Sequence, residues 1–261
     1  MSGAEPSPIC GAAGEPPPAA EAKVALITGG ARRIGRTIAL SLAAKGWHAV
    51  IHYHSSREAA LALAGDIRAS GGQATAVPAN LAEIDEVRQL VPRAAAAAGA
   101  PLRCLVNNAS LFLNDGMGKL DAALWQAHMD VNLRAPVFLA ESFAAHLPPG
   151  SAGNIINIVD QRVLRPAPGF FSYTVSKSGL AWVTRTMAQA LGPHIRVNAI
   201  APGPVLRSIH QTQEEFEAEG RSTLLRHGTT PEEIAGAVHF LLGTPSVTGQ
   251  TICLDGGQHL T

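Results

Sequence analysis

Short apolar runs alternate with longer segments of helical character along most of this 261-residue chain. The apolar runs contain almost no polar residues, which is typical of strands buried on both faces, as in a parallel sheet. A helix between successive parallel strands gives right-handed crossovers and a doubly wound sheet. The predicted strands are Val24–Thr28, Ala49–Tyr53, Ala74–Pro78, Leu102–Asn107, Asn154–Val159, Ile195–Ile200 and Gln250–Leu254. The pattern therefore predicts a single α/β domain with a seven-stranded parallel sheet flanked by helices.

The segments between the strands have the length and periodicity of helices. They are Ile34–Lys45, Arg57–Ala69, Ile84–Ala98, a long region from about Leu120 to His146, Ser172–Leu191, Gln211–Glu219 and Pro231–Leu242. Residues 1–21 differ, because they are rich in Pro, Ala, Gly and Glu and include three consecutive prolines. We therefore expect a disordered leader over 1–21 and a folded domain over 22–261.

Composition restricts the class of partner. The chain has 20 basic and 20 acidic residues, a formal net charge of zero, whereas nucleic acids and anionic membranes require a basic surface. No apolar stretch approaches the roughly 18 residues of a membrane span, and no secretory signal is visible. The three scattered cysteines indicate neither a disulfide framework nor a metal site. We expect a cytoplasmic protein with a small-molecule partner, no metal, no nucleic acid and no membrane.

A glycine turn follows the first predicted strand and precedes the first predicted helix. Its sequence is Thr28-Gly29-Gly30-Ala31-Arg32-Arg33-Ile34-Gly35. The outer glycines suit a backbone that approaches a pyrophosphate closely at a helix N-terminus. Arg33 occupies the place of the usual middle glycine, and two adjacent guanidinium groups suit an additional phosphate. The turn predicts a Rossmann-type dinucleotide site, with contacts from Gly29, Arg32, Arg33, Ile34 and Gly35.

The end of the second strand indicates which dinucleotide binds. A carboxylate there would accept hydrogen bonds from the ribose 2′-hydroxyl of NAD, but the segment from His52 to Arg57 contains no acid. The side chains of His54, Ser55 and Ser56 fit a 2′-phosphate instead, which favours NADPH. Alternatively, one of the two serines caps the following helix.

A tyrosine and a lysine occupy positions i and i+4 of the helix predicted after the fifth strand. Tyr173 and Lys177 therefore share one face of that helix. A free tyrosine has a pKa of about 10, and a nearby cation favours the phenolate. Tyr173 is the candidate proton donor as hydride arrives, and Lys177 is a candidate to hold the nicotinamide ribose. The alternative, two unrelated surface residues, is disfavoured by the dinucleotide turn earlier in the chain.

Further segments extend these motifs into a family resemblance. From about Lys23 to His259 the chain resembles the short-chain dehydrogenase/reductase family, through Asn107-Asn108-Ala109, Val131-Asn132-Leu133, Arg196-Val197-Asn198, Pro202-Gly203 and Thr248-Gly249-Gln250. The resemblance implies a homotetramer and further cofactor contacts from Asn80, Leu81, Asn108, Ala109, Ser110, Pro202 and Gly203. It also implies that Asn132 supports a proton-relay water.

One departure from the common family pattern restricts the class of substrate that we expect. Most members have serine thirteen residues before the catalytic tyrosine, whereas this chain has Asp160. The chain resembles the pteridine reductases in that aspartate, in Arg33, in His52-Tyr53-His54-Ser55-Ser56 and in Asn107-Asn108-Ala109-Ser110-Leu111-Phe112.

The resemblance to pteridine reductases implies substrate contacts. Phe112 would stack on the pterin, Ser110 would hydrogen-bond to it, and Arg33 would contact both the pterin and the cofactor phosphate. Asp160 would share proton donation with Tyr173 or hold a water, because the nitrogen of a reduced C=N bond needs a proton. Residues 204–227 are the expected substrate lid, and their acidic residues are interpreted as a solvated helix face.

Three alternatives stay open. The first is that Asp160 only caps the local backbone or pairs with Arg162 or Arg165. The second is that the chain is a carbonyl reductase of another small ketone, which Asp160 and Phe112 disfavour. The third is that the chain is a non-catalytic NADP(H)-binding sensor, which the presence of Tyr173, Lys177 and Asn132 disfavours.

Overall fold

The sheet is the centre of the fold. The computed structural model describes residues 22–208 and 211–261, so the predicted leader over 1–21 lies outside the described residues. Within them, seven parallel strands form one sheet in the order β3-β2-β1-β4-β5-β6-β7. The strands are β1 Val24–Ile27, β2 His48–Tyr53, β3 Gln73–Pro78, β4 Cys104–Asn107, β5 Gly153–Ile158, β6 Ile195–Pro202 and β7 Thr251–Leu254. The predicted seven-stranded, doubly wound sheet is confirmed.

Helices cover both faces of this sheet. They are α1 Arg33–Ala44, α2 Arg57–Ala69, α3 Ile84–Ala98, α4 Ala122–Met129, α5 Ala135–His146, α6 Phe171–Leu191, α7 Gln213–Arg221 and α8 Pro231–Gly243. One apolar cluster packs α1, α2 and α8 against the sheet, and a second packs α3 and α5 against the opposite face. Burial on both faces explains why the strands read as continuous apolar runs.

The long helix predicted from Leu120 to His146 is interrupted. It begins at Ala122, where the Asp121 carboxylate caps the N–H of Leu124, and it passes through a π-helical turn at Asp130–Arg134. Pro136 explains the interruption, because it has no N–H to bond the carbonyl of Asn132 four residues earlier. The predicted helical region is therefore helical from Ala122 to His146, with a π-helical turn that the prediction did not include.

Strand β6 extends beyond its predicted end at Ile200. Its register with β7 continues to Pro202, opposite Leu254, and the N–H of Gly203 then donates to the carbonyl of Leu254. Pro202 has no N–H to donate to this pairing, and it is the last residue of the strand. The Pro-Gly pair is thus fixed to the sheet, at the edge where the site forms.

None of the helices in residues 22–208 and 211–261 has the length and apolar character that a membrane span requires. The same residues contain no cluster of three or more side chains suited to hold a metal ion.

Candidate active site

A cavity of about 1160 Å³ opens at the carboxyl ends of the strands. The strand order places β1 beside both β2 and β4, which is the switch point where ligands of such sheets bind. The cavity brings together Gly29, Arg32, Arg33, Ile34, Gly35, His54, Ser55, Ser56, Asn80, Leu81, Asn108, Ala109, Ser110, Phe112, Asp160, Tyr173, Lys177, Pro202 and Gly203. Of the predicted site residues, Asn132 is not among those that line it.

The glycine turn is closely packed. Gly29 has a left-handed φ of +61°, and a Cβ on it would lie 3.0 Å from the Cα of Ala109. A Cβ on Gly35 would lie 2.4 Å from the carbonyl oxygen of Gly29 and 2.6 Å from Nδ2 of Asn108. Asn108 fixes the turn by donating from Nδ2 to the carbonyl of Thr28 at 2.8 Å. Only glycine fits at these positions, and the resulting cradle suits a pyrophosphate at the start of α1.

Arg33 connects the glycine turn to the predicted lid. Its φ is +51°, which is left-handed backbone and accounts for the glycine usually found there. Its guanidinium donates to the carbonyls of Leu206 at 2.9 Å and Arg207 at 3.1 Å. The structure thus gives Arg33 a bridging contact that its sequence did not indicate, and its predicted phosphate and pterin contacts stay predictions.

His52 supports the same turn from beneath. Its Nδ1 accepts the N–H of Gly29 at 3.1 Å, so Nε2 carries the proton and donates to the carbonyl of Ala79 at 3.1 Å. Burial lowers the pKa of His52 to about 4, which keeps the ring neutral near pH 7. The sequence placed this histidine in a motif but gave no sign of its supporting role.

The serines after β2 face the cavity. Ser56 occupies the N-cap position of α2, yet its side chain makes no capping hydrogen bond. Ser55 and His54 beside it are exposed. The capping alternative is therefore not what the structure shows, and the Ser56 hydroxyl remains available to a phosphate.

Tyr173, Lys177 and Asp160 form the polar centre of the cavity. The Tyr173 hydroxyl donates to Oδ2 of Asp160 at 2.7 Å. The Lys177 ammonium donates to the carbonyl of Ile158 at 2.8 Å and lies 5.9 Å from the centroid of the tyrosine ring. The other carboxylate oxygen of Asp160 accepts the N–H of Arg162 at 2.9 Å. Asp160 therefore caps the backbone, as one alternative held, and also binds the tyrosine.

The electrostatics differ from the sequence-based expectation at Tyr173. Desolvation raises the pKa of Asp160 above its ordinary value. Desolvation, followed by the charge of Asp160, raises the pKa of Tyr173 well above 10. Desolvation lowers the pKa of Lys177 to about 8, although Asp160 opposes this shift. The expected lowering of the tyrosine pKa by the lysine is therefore wrong: the charge that lowers it is that of Arg162, and desolvation and Asp160 outweigh that charge.

Asn132 lies beneath the cavity, in the π-helical turn. Its side-chain oxygen accepts the N–H of Leu111 at 2.8 Å, and its Nδ2 donates to the Leu111 carbonyl at 2.9 Å and to Oγ of Ser176 at 3.1 Å. These bonds fix the loop after β4 to α6. Its role beside a relay water stays a prediction.

An aromatic wall closes one side of the cavity. The rings of Phe112 and Phe170 are stacked, with centroids 4.3 Å apart and planes 4° apart. The Phe112 ring also contacts Tyr173 edge-on at 4.7 Å, and the Arg162 guanidinium lies 5.1 Å over Phe170. Sequence reasoning missed Phe170 as a wall residue, because its left-handed φ of +56° just before α6 has no sequence signature. Ser110 is exposed nearby, with its hydroxyl on the carbonyl of Leu111.

The predicted lid contributes a wall of its own through α7. Gln211, Glu215, Phe216 and Glu219 line the cavity. Glu219 accepts hydrogen bonds from Gln211 at 2.8 Å and from Gln258 at 3.3 Å. The interpretation of all acids in this segment as a solvated face was therefore wrong for Glu219.

Known proteins match most of this chain. Residues 23–218 match the model of the short chain dehydrogenase family. The chain belongs to this family. A relative of this short-chain dehydrogenase is the 3-oxoacyl-(acyl-carrier-protein) reductase of Synechocystis, which is 35% identical over 241 residues, covering 91% of this chain and 97% of the relative.

Solved structures of other short-chain dehydrogenases resemble this one closely. FolM alternative dihydrofolate reductase 1 from Brucella suis, in complex with NADP, is 48% identical with a TM-score of 0.89, covering 92% of this chain and 96% of that chain. A blue fluorescent protein from a metagenomic library, in complex with NADPH, is 36% identical with a TM-score of 0.85, covering 91% of this chain and 98% of that chain.

Proposed function

We propose that this short-chain dehydrogenase is an NADPH-dependent pteridine reductase, which transfers hydride to a C=N bond of a dihydropterin and forms the tetrahydropterin. The observation that carries this proposal is the hydrogen bond between Tyr173 and Asp160 beside the Phe112 ring. Reduction of a ketone needs one proton donor at the carbonyl oxygen, whereas two acidic side chains side by side suit protonation of a ring nitrogen. The aromatic ring of Phe112 suits stacking on a flat polar heterocycle.

NADPH is the cofactor. The glycine turn suits a pyrophosphate at the start of α1, and glycine at position 35 lets the helix begin against the turn, since a Cβ there would lie 2.4 Å from the carbonyl oxygen of Gly29. The segment after β2 contains no carboxylate, and the Ser56 hydroxyl makes no cap bond, so both features suit a 2′-phosphate. The solved relatives bound to NADP and NADPH agree with this assignment.

We assign the proton transfer and the positioning of the nicotinamide ribose to residues of this chain. When bound, NADPH supplies the hydride that reaches the carbon of the C=N bond. Asp160 and Tyr173 deliver the proton to the nitrogen, and the pair recovers its proton from water. Lys177, fixed at the carbonyl of Ile158, holds the nicotinamide ribose. The raised pKa of Asp160 suits this role, because a more basic carboxylate is a better acceptor for the proton that the pair recovers.

The second candidate is a carbonyl reductase of a small ketone. It is favoured by the name of the Synechocystis relative, a 3-oxoacyl-(acyl-carrier-protein) reductase. The name of the Brucella suis protein, an alternative dihydrofolate reductase, favours the pterin. A non-catalytic sensor is the third candidate, and the close contacts among Tyr173, Asp160 and Lys177 favour an enzyme.

The organisation we propose has one NADP-binding reductase domain over residues 22–261, with 204–227 as its substrate lid. A homotetramer is part of this proposal because the family resemblance implies it, and the exposed Trp182 on an apolar groove of α6 is suited to contact another protein surface. A cytoplasmic location remains a prediction from the sequence.

The test is the loss of NADPH absorbance with dihydrobiopterin, dihydromonapterin, dihydrofolate, simple ketones and a 3-oxoacyl thioester, with NADH as the control. We expect turnover of a dihydropterin with NADPH. Asp160→Ser, which restores the residue common in the family, should reduce pterin turnover more than any ketone turnover. Ketone reduction without pterin reduction by the unmodified protein would overturn the substrate assignment and retain the second candidate.

A further inference from the structure

Three buried polar side chains lie directly behind the aromatic wall and outside the cavity lining. His128 on α4 is fully buried, and its Nδ1 lies 2.6 Å from Oγ of Ser172, the second residue of α6. The Ser172 hydroxyl donates in turn to the carboxylate of Asp115, in a short hydrogen bond. The His128 ring lies 6.2 Å from that of Tyr173, edge-on. No part of the catalytic proposal uses this cluster.

The hydrogen bonds of the cluster run in one direction. The N–H of Leu113 donates to Nε2 of His128 at 3.3 Å, so Nε2 is an acceptor. In a neutral ring the proton then lies on Nδ1, which donates to Ser172. Ser172 passes its own proton toward Asp115, which accepts because it is a carboxylate. The charge of Asp115 therefore fixes the tautomer of His128 through the serine.

The cluster joins the two segments that carry the wall. Asp115 also accepts the N–H of Ser172 at 2.9 Å, and Asn114 accepts the N–H of Phe170 at 2.9 Å. The loop after β4, which contains Phe112, is thus attached to the first turn of α6, which contains Tyr173. The N–H of Leu113, the residue after Phe112, donates to His128, so this hydrogen bond depends directly on the histidine tautomer.

We propose that His128, Ser172 and Asp115 are positioning residues that hold the Phe112 ring against Tyr173, and that Asp115 does so by fixing the Nδ1–H tautomer of His128. This inference rests on the proposed function only in that the wall receives the substrate ring. The alternative is that the three residues stabilise the fold and leave substrate binding unaffected.

Asp115→Asn separates these possibilities because it keeps the size of the side chain and reverses the chain of hydrogen bonds. The new amide donates to Oγ of Ser172, the serine donates to Nδ1 of His128, and the ring proton moves to Nε2. Nε2–H then faces the N–H of Leu113, and two donors repel. We expect the loop bearing Phe112 to shift while the cofactor turn stays in place.

The readouts are the ¹⁵N spectrum of His128 and steady-state kinetics. We expect the Nδ1–H tautomer in the unmodified enzyme and the Nε2–H tautomer in Asp115→Asn, assigned by comparison with His128→Gln. We expect the KM for dihydropterin to rise about tenfold, which corresponds to about 1.4 kcal/mol, with the NADPH dissociation constant unchanged. Asp121→Asn, which removes the carboxylate that caps α4, the helix that carries His128, is the matched control and should leave both values unchanged.

A second variant keeps the test decisive if Asp115→Asn does not fold. Ser172→Ala breaks the chain but leaves its backbone N–H on Asp115, and it should also raise the substrate KM without affecting NADPH binding. An unchanged tautomer in Asp115→Asn, or an unchanged substrate KM in both variants, would overturn this inference. If the unmodified enzyme reduces a ketone and no pterin, the proposed function fails, while the tautomer and the KM for that ketone still test the positioning role.

Discussion

The Tyr173 hydroxyl donates to the Asp160 carboxylate at 2.7 Å, so the phenol and the carboxyl group act on a single proton. Desolvation raises the pKa values of both residues, and the Asp160 charge raises that of Tyr173 further. In this arrangement neither group is a conventional isolated acid. In the proposed reaction, a substrate nitrogen that approaches the pair receives this proton, and the pair is then left with one more negative charge, which Lys177 is close enough to stabilise.

Removal of either member should therefore impair the proton transfer and leave cofactor binding intact. We expect Tyr173→Phe and Asp160→Asn each to reduce kcat by about 10²- to 10⁴-fold, the usual contribution of general acid catalysis. NADPH fluorescence titration should give dissociation constants close to that of the unmodified enzyme. The double variant should lose little more than the worse single variant, because the two groups share one proton. Full activity in Tyr173→Phe would contradict the mechanism.

The lowered pKa of Lys177 predicts that NADPH binding weakens at alkaline pH. Desolvation lowers its pKa to about 8, so the ammonium loses its proton as the pH rises through that value. The KM for NADPH should consequently increase above about pH 8. Lys177→Met should have a high KM with little pH dependence in this range, whereas Lys45→Met on the surface should behave as the unmodified enzyme. An unchanged KM up to pH 10 would contradict the role assigned to Lys177.

The same shift affects stability with a defined sign. The folded pKa of about 8 lies below the ordinary value of 10.5, so the unfolded chain binds more protons between these values. The contribution of Lys177 to the free energy of unfolding therefore increases with pH across this window. Denaturant titrations of Lys177→Met and the unmodified enzyme, compared at pH 8 and pH 10, measure this contribution.

The sequence predicted the sheet because its strands are short, apolar and separated by helices, and this pattern reflects burial on both faces. It did not predict the π-helical turn before Ala135, since one proline at the start of α5 changes the bonding of a carbonyl four residues earlier. It also did not predict that β6 would continue to Pro202. That extension depends on pairing with β7, about 50 residues further along the chain.

The site was predictable where its residues lie in local motifs and unpredictable where they meet only in the folded chain. Gly35 and the Tyr173–Lys177 pair carry short-range signals in the sequence. Phe170 and His128 carry none, because their contacts depend on a left-handed backbone angle and on the packing of α4 against α6. The sign of the pKa shift of Tyr173 was mispredicted for the same reason, since desolvation is a property of the folded state.

Arg33 offers a test of backbone strain at the cofactor turn. Its φ of +51° is unfavourable for any residue with a Cβ, while its guanidinium bonds two carbonyls of the lid. Arg33→Ala and Arg33→Gly both lose those bonds, but only alanine retains the strain. We expect Arg33→Gly to be more stable than Arg33→Ala by about 1 kcal/mol in denaturant titrations. Both variants should bind NADPH more weakly than the unmodified enzyme, and equal stabilities of the two would contradict the strain argument.

The segment after β2 should control the choice between NADPH and NADH. Ser55→Asp introduces a carboxylate beside the expected 2′-phosphate, and two negative charges at an exposed site repel by about 1 to 2 kcal/mol. We expect the ratio of kcat/KM for NADPH over NADH to fall by about tenfold or more. Ser56→Ala is the companion variant: because its hydroxyl makes no cap bond, the melting temperature should stay constant while NADPH affinity decreases. A lower melting temperature with unchanged NADPH affinity would instead assign that hydroxyl to the helix.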